Sequence, residues 1–175
     1  VDDYETGRDL LDIYKEFIGK YEKVFPLEKT IMLIGDNDYQ NRKDVLEYIK
    51  SLPTINGNDV FTYQYKNLFL FHGNIESAHW QELFGKYAGI VASKISDSLL
   101  PQMLANKIIK KFRIPEDFIT LLGHIHYLGG VDSAIFCGTL NQERIIYPKE
   151  MSLGYVVINE HSSEINEDDI SIVQL

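Results

Sequence analysis

The chain holds one cysteine, Cys137, in 175 residues. No internal disulfide can staple it, and a reducing compartment suits it. No apolar run approaches the ~18 residues that suggest a membrane-spanning helix. Positive charge is scarce: 17 lysines and arginines face 26 aspartates and glutamates, for a formal net charge of −9. That balance argues against a protein whose main task is gripping nucleic acid, because cationic side chains drive that attraction. Internal repeats, low-complexity tracts and linkers are absent, and no spacing suggests a serine or cysteine nucleophile with its triad. The expectation is a cytoplasmic protein.

What is present is a core. At 45% hydrophobic and 12% aromatic residues, the chain can form one α/β domain over 1–175. Thr6 is placed to cap a helix running to Lys23, with Leu10, Tyr14, Phe17 or Ile18, and Tyr21 as its apolar face. Val45, Leu46 and Ile49 mark a second helix, stopped by Pro53. Asn56-Gly57 signals a turn before an alternating strand through Phe61, Tyr63 and Tyr65. A helical insertion is expected over about 77–114. Trp80, Leu83, Phe84 and Tyr87 mark one helix there, and Leu100, Met103, Leu104, Ile108 and Phe112 another. The insertion offers a wall for a site or a surface for homo-oligomers. Its Lys107, Lys110, Lys111 and Arg113 read as a solvated face. Glu160 to Asp169 reads as an acidic loop or frayed tail, followed by a last strand through Ile170, Ile172 and Val173. His79 and His161 read as surface residues.

Three short apolar runs each lead into polar residues of ligand type. Thr30–Ile34 runs into Gly35-Asp36-Asn37-Asp38, Leu68–Phe71 into His72-Gly73-Asn74, and Phe118–Leu122 into Gly123-His124-Ile125-His126. Side chains alternate along a strand, so two histidines one residue apart point the same way. Ligands in open α/β sheets bind outside the carboxyl ends of the strands. Three such ends would deliver Asp36, His72, His124 and His126 to one edge. Mixed carboxylate and imidazole donors suit Mn, Fe, Ni or Zn better than Ca or Mg, which prefer oxygen alone.

These motifs, in this order, resemble those of the calcineurin-like metallophosphoesterases, whose later motifs run G-N-H-[DE], a histidine after a hydrophobic strand, and G-H-x-H. Cys137–Arg144 and then Gly154–Ile158 add a likeness to the small prokaryotic phosphodiesterase branch. The resemblance implies two helix-flanked sheets packed as a sandwich around two divalent transition metals, most simply Mn²⁺. It also implies hydrolysis of a small phosphomonoester or phosphodiester by metal-activated hydroxide. Asp36, His72 and His124 then match ligands of one metal, and His126 a ligand of the other. Asp38 becomes a supporting carboxylate, Asn37 a donor to a phosphoryl oxygen, and Asn74 a substrate contact.

The departures matter too. The family's D-x-H and bridging G-D motifs do not occur, and Val1-Asp2-Asp3 reads like the remainder of a G-D-x-V-D-D motif. An amino-terminal βαβ portion is therefore expected to be missing. Asn37 stands where many members carry histidine, which removes a general acid typically worth 10²–10⁴-fold in rate. Asp36 replaces an asparagine and adds negative charge. The alternative is a non-catalytic scaffold or interaction module carrying a degenerate site.

Overall fold

Residues 10–35, 43–73, 99–132, 134–139 and 151–175 are described in the computed structural model, in which the chain divides into two units, Val1–Tyr63 and Gln64–Leu175. The expected cap at Thr6, the Asp36–Asp38 loop, Asn74, His79, the Trp80–Tyr87 helix and the segment through Arg144 lie outside the described residues.

In the first unit, helix α1 (Leu10–Tyr21) packs with helix α2 (Lys43–Ser51). Tyr14 and Ile18 on α1, like Val45 and Ile49 on α2, are buried at a spacing of four, which puts each pair on one helix face. Tyr14, Val45 and Ile49 close with Ile34 and Val60 into one core. Phe17 and Tyr21, at the edge of that face of α1, stay exposed, with ring centroids 4.7 Å apart.

Thr30–Ile34 corrects the expectation of a strand, for it belongs to neither sheet. Its polar groups are met piecemeal instead. Ile55 N–H donates to the Thr30 carbonyl at 2.9 Å, and Ile34 N–H to the Val60 carbonyl at 2.8 Å. Between them the Asn56 side chain imitates a neighbouring strand, accepting from Met32 N–H at 3.2 Å and donating to the Met32 carbonyl at 2.8 Å. Backbone N–H and C=O groups withdrawn from water need partners, and here a turn residue supplies them. Gly57, next in that turn, has φ +54, a conformation open to glycine at little steric cost.

A five-stranded mixed sheet follows, in the order β1-β2-β3-β5-β4. Its strands are β1 (Thr62–Tyr65), β2 (Leu68–Phe71), β3 (Ile119–Leu122), β4 (Leu128–Val131) and β5 (Ala134–Cys137). The β2–β3 and β3–β5 pairs are parallel, so these three strands end at the same edge, and β4 returns antiparallel to β5. Registers Phe71↔Leu122 and Leu122↔Phe136 line up one face of the sheet. On that face the core joins Leu104, Ala105 and Ile108 of helix α3 (Leu99–Phe112) to Phe71, Leu122 and Phe136. Ile108 and Phe136 are fully buried, each worth about 1.5–3 kcal/mol relative to exposure. The Phe112 ring meets Phe69 at 5.3 Å and Phe71 at 4.9 Å, pinning the end of α3 over β2.

Two further strands, β6 (Gly154–Ile158) and β7 (Ile170–Gln174), form an antiparallel pair. The acidic stretch before β7 is tied down rather than frayed. Asn67, at the β1–β2 turn, donates to the Ile165 carbonyl and accepts from Ile165 N–H, both at 2.8 Å. Lys66 pairs with Glu160 and donates to the Ser162 carbonyl at 2.6 Å, while Tyr65 Oη donates to Glu160 at 2.8 Å. These hydrogen bonds, that from Lys66 foremost, hold the Glu160 carboxyl below its usual range. The molecule is thus a mixed α/β protein. Among the described residues no helix is long and apolar enough to cross a membrane.

Candidate metal centre

The shared end of β2 and β3 carries His72 and His124. One step past the Phe71↔Leu122 pair the ladder continues, with Gly123 N–H donating to the His72 carbonyl at 3.0 Å. Both glycines there lie against the histidines. A Cβ on Gly73 would stand 3.1 Å from His124 Cβ and 3.2 Å from the Gly123 carbonyl oxygen. A Cβ on Gly123 would stand 3.2 Å from the His72 carbonyl oxygen and 3.7 Å from His72 Nδ1. In this narrow space the two imidazoles meet edge to face, with centroids 5.3 Å apart and planes at 73°.

The histidines of the third motif do not extend the strand, which corrects the spacing argument. β3 stops at Leu122, and His124 and His126 take φ of +69° and +54°. Ile125 N–H donates to the Gly123 carbonyl at 2.9 Å. His124 therefore sits at the centre of a γ-turn of the positive-φ kind, which is rare and strained. Such a conformation costs about 1–3 kcal/mol and persists where surroundings enforce it, commonly at functional sites. Burial still alternates through the turn. His124 and His126 are half-buried, whereas Ile125 and Tyr127 sink into the main core. Ile125 and Tyr127 anchor the turn from beneath, and Tyr127 packs edge to face on Phe136 at 5.9 Å.

The spacing of the pair is that of an ordinary edge-to-face contact and is also one that a shared metal allows. With metal–nitrogen bonds of about 2.0–2.1 Å and a ring radius of roughly 1.2 Å, two imidazoles on one tetrahedral ion have centroids about 5.2 Å apart. The observed 5.3 Å matches that spacing. Among the described residues no group of three or more histidine, cysteine, aspartate or glutamate side chains is placed to hold a metal. The third expected ligand, Asp36, lies outside those residues, as do Asn37, Asp38 and Asn74. Cys137 ends β5, one residue past the Leu122↔Phe136 pair. Burial pushes its thiol up to about 11, so at neutral pH it is not an activated nucleophile.

Sequence reasoning singled out the histidines but passed over the work of Gly73 and Gly123. The available signal was a glycine directly after His72 and another directly before His124. No family model matches this chain, and neither the curated proteins nor the solved structures contain a match to it.

Proposed function

We propose that this protein is a metal-dependent phosphoesterase, a hydrolase acting on small phosphomonoesters or phosphodiesters, with its sheets arranged as the metallophosphoesterase sandwich. One observation carries the reading: His72 and His124 lie 5.3 Å apart at the carboxyl ends of adjacent parallel strands, one of them in a strained turn. His72 and His124 would hold one ion together with Asp36, and His126 would serve a second. Such an ion, when bound, supplies Lewis acidity toward a phosphoryl oxygen. The protein's own contribution is to fix the two imidazoles in place at the ends of β2 and β3. Asn37 would donate a hydrogen bond to a phosphoryl oxygen, Asp38 would orient the loop, and Asn74 would contact substrate. With asparagine in place of a general acid, good leaving groups are favoured, as in aryl phosphodiesters.

The test is hydrolysis of a bis-aryl phosphodiester in Mn²⁺ by the wild type and by His124→Ala. The variant should remain folded and lose turnover along with tight Mn²⁺ binding. Full activity in chelator, or undiminished activity of the variant, overturns the proposal. Asn37 in place of the motif histidine favours a second reading, a scaffold with a degenerate site. On that reading Mn²⁺ would bind without turnover.

A further inference from the structure

We infer that Gly73 is a positioning residue, and that its missing side chain, with that of Gly123, sets the distance between the two imidazoles. The functional consequence rests on the metal reading above, but the geometric claim does not. Three observations carry it. Gly73 has φ +105, a conformation that residues with side chains rarely adopt, so the chain leaves β2 along a path that favours glycine. The direction in which its Cβ would project is filled by His124 Cβ at 3.1 Å and the Gly123 carbonyl oxygen at 3.2 Å. Both distances are tighter than ordinary van der Waals contact, so with an added methyl the γ-turn that holds His124 must give by a few tenths of an ångström. From the other strand, a methyl on Gly123 would press on the His72 carbonyl at 3.2 Å, the acceptor of the last hydrogen bond between β2 and β3.

The imidazole spacing is therefore set by backbone approach rather than by side-chain packing alone. A turn at positive φ cannot relax smoothly, because the neighbouring residues Ile125 and Tyr127 are buried in the core. Displacement of the Gly123–Ile125 turn then falls on the His124 ring. Metal ligands tolerate little of this, and disturbing the groups that orient them typically lowers affinity 10–100-fold.

The experiment uses the whole chain as wild type, Gly73→Ala, Gly123→Ala and, as control, Gly19→Ala, since a Cβ at Gly19 meets nothing within 4 Å. Two readouts are taken. One is the nuclear Overhauser contact between the His72 and His124 ring protons in metal-free protein, and the other is Co²⁺ affinity. Gly73→Ala, folded by circular dichroism, should weaken the ring contact and bind Co²⁺ at least about tenfold more weakly. Gly19→Ala should change neither. A ring contact of undiminished intensity in both Gly73→Ala and Gly123→Ala overturns the inference, as does unchanged Co²⁺ affinity in folded Gly73→Ala. If the wild type binds no Co²⁺ the metal reading fails, and the ring contact alone decides the positioning role. Should Gly73→Ala not fold, Gly123→Ala carries the same readouts without a positive-φ penalty.

Discussion

Thr120 is fully buried at the centre of β3, between Phe69 of β2 and Ala134 of β5, and its hydroxyl finds no hydrogen-bond partner among the described residues. An orphaned buried hydroxyl costs about 1–3 kcal/mol, whereas an apolar group of the same shape carries no such penalty. Thr120→Val should therefore raise stability by about 1 kcal/mol, measured as a higher urea midpoint at unchanged slope. Cys137 makes a second prediction. Its folded value of about 11 lies above the ordinary 9.0, so the unfolded thiol releases its proton first. The stability linked to it is complete below about pH 8.5 and is lost as pH climbs toward 11, on the order of 2 kcal/mol. Under reducing conditions Cys137→Ala should flatten that alkaline decline in denaturation curves at pH 8 and 10.5. An alkaline loss of unchanged size in the variant would assign it to other groups.

Helix α3 ends in a loop that closes on itself. Arg113 takes φ +53, and Ile114 N–H reaches back to the Ile109 carbonyl at 3.0 Å. This is the six-to-one bond of a Schellman cap with arginine where glycine is usual. Arg113→Gly should raise the thermal midpoint, by about 0.5–1 kcal/mol in free energy, because glycine takes this conformation without strain. The hairpin tip at Lys66 and Asn67 holds the stretch from Glu160 to Ile165 by hydrogen bonds. Asn67→Ala should speed amide exchange at Ile165, which loses its acceptor.

Elements of this kind were unequally legible in the sequence. β2, β3, α3 and β7 could be read because each is an apolar run or a helical stripe. β4 was not anticipated, since Gly129 and Gly130 in Leu128–Val131 weaken any strand signal, although Tyr127 covers the Gly129 backbone at 3.0 Å from its ideal Cβ position. The Thr30–Ile34 run was misread as a strand because ladder membership depends on a partner the run itself does not encode. The acidic stretch is a loop, one of its two readings, but that it is tied down was not legible, its ties coming from residues nearly a hundred positions earlier. At the site, the residue types pointed to imidazole chemistry. The γ-turn at His124 could not be foreseen, because an i, i+2 pattern reads the same on a strand and in this turn.

At the scale of the whole molecule, each unit holds its own core, around Val45 and Ile49 in one and around Ile108 and Phe136 in the other. Ile49→Ala should cost about 2–5 kcal/mol, as expected for truncating a fully buried aliphatic side chain. Hydrogen exchange should show the lost protection in α1 and α2. Faster exchange confined instead to β3 and β5 would contradict that assignment.

Asn56 has a consequence for how the protein ages. It precedes a glycine, the sequence most prone to cyclise and lose its side-chain amide, and asparagine is among the heat-labile residues. Here the carboxamide is held by Met32 and by the Asp59 carbonyl at 2.8 Å, while Gly57 N–H, the attacking nitrogen, is engaged with the Thr54 carbonyl at 3.1 Å. The native fold should therefore shield its own weakest amide, and deamidation should follow the unfolded fraction rather than storage time. Once converted, the new carboxylate would face the Met32 and Asp59 carbonyls that the amide had served as donor. Refolding would be penalised, and a brief thermal excursion would leave a permanent chemical record, readable by peptide mass at this one turn.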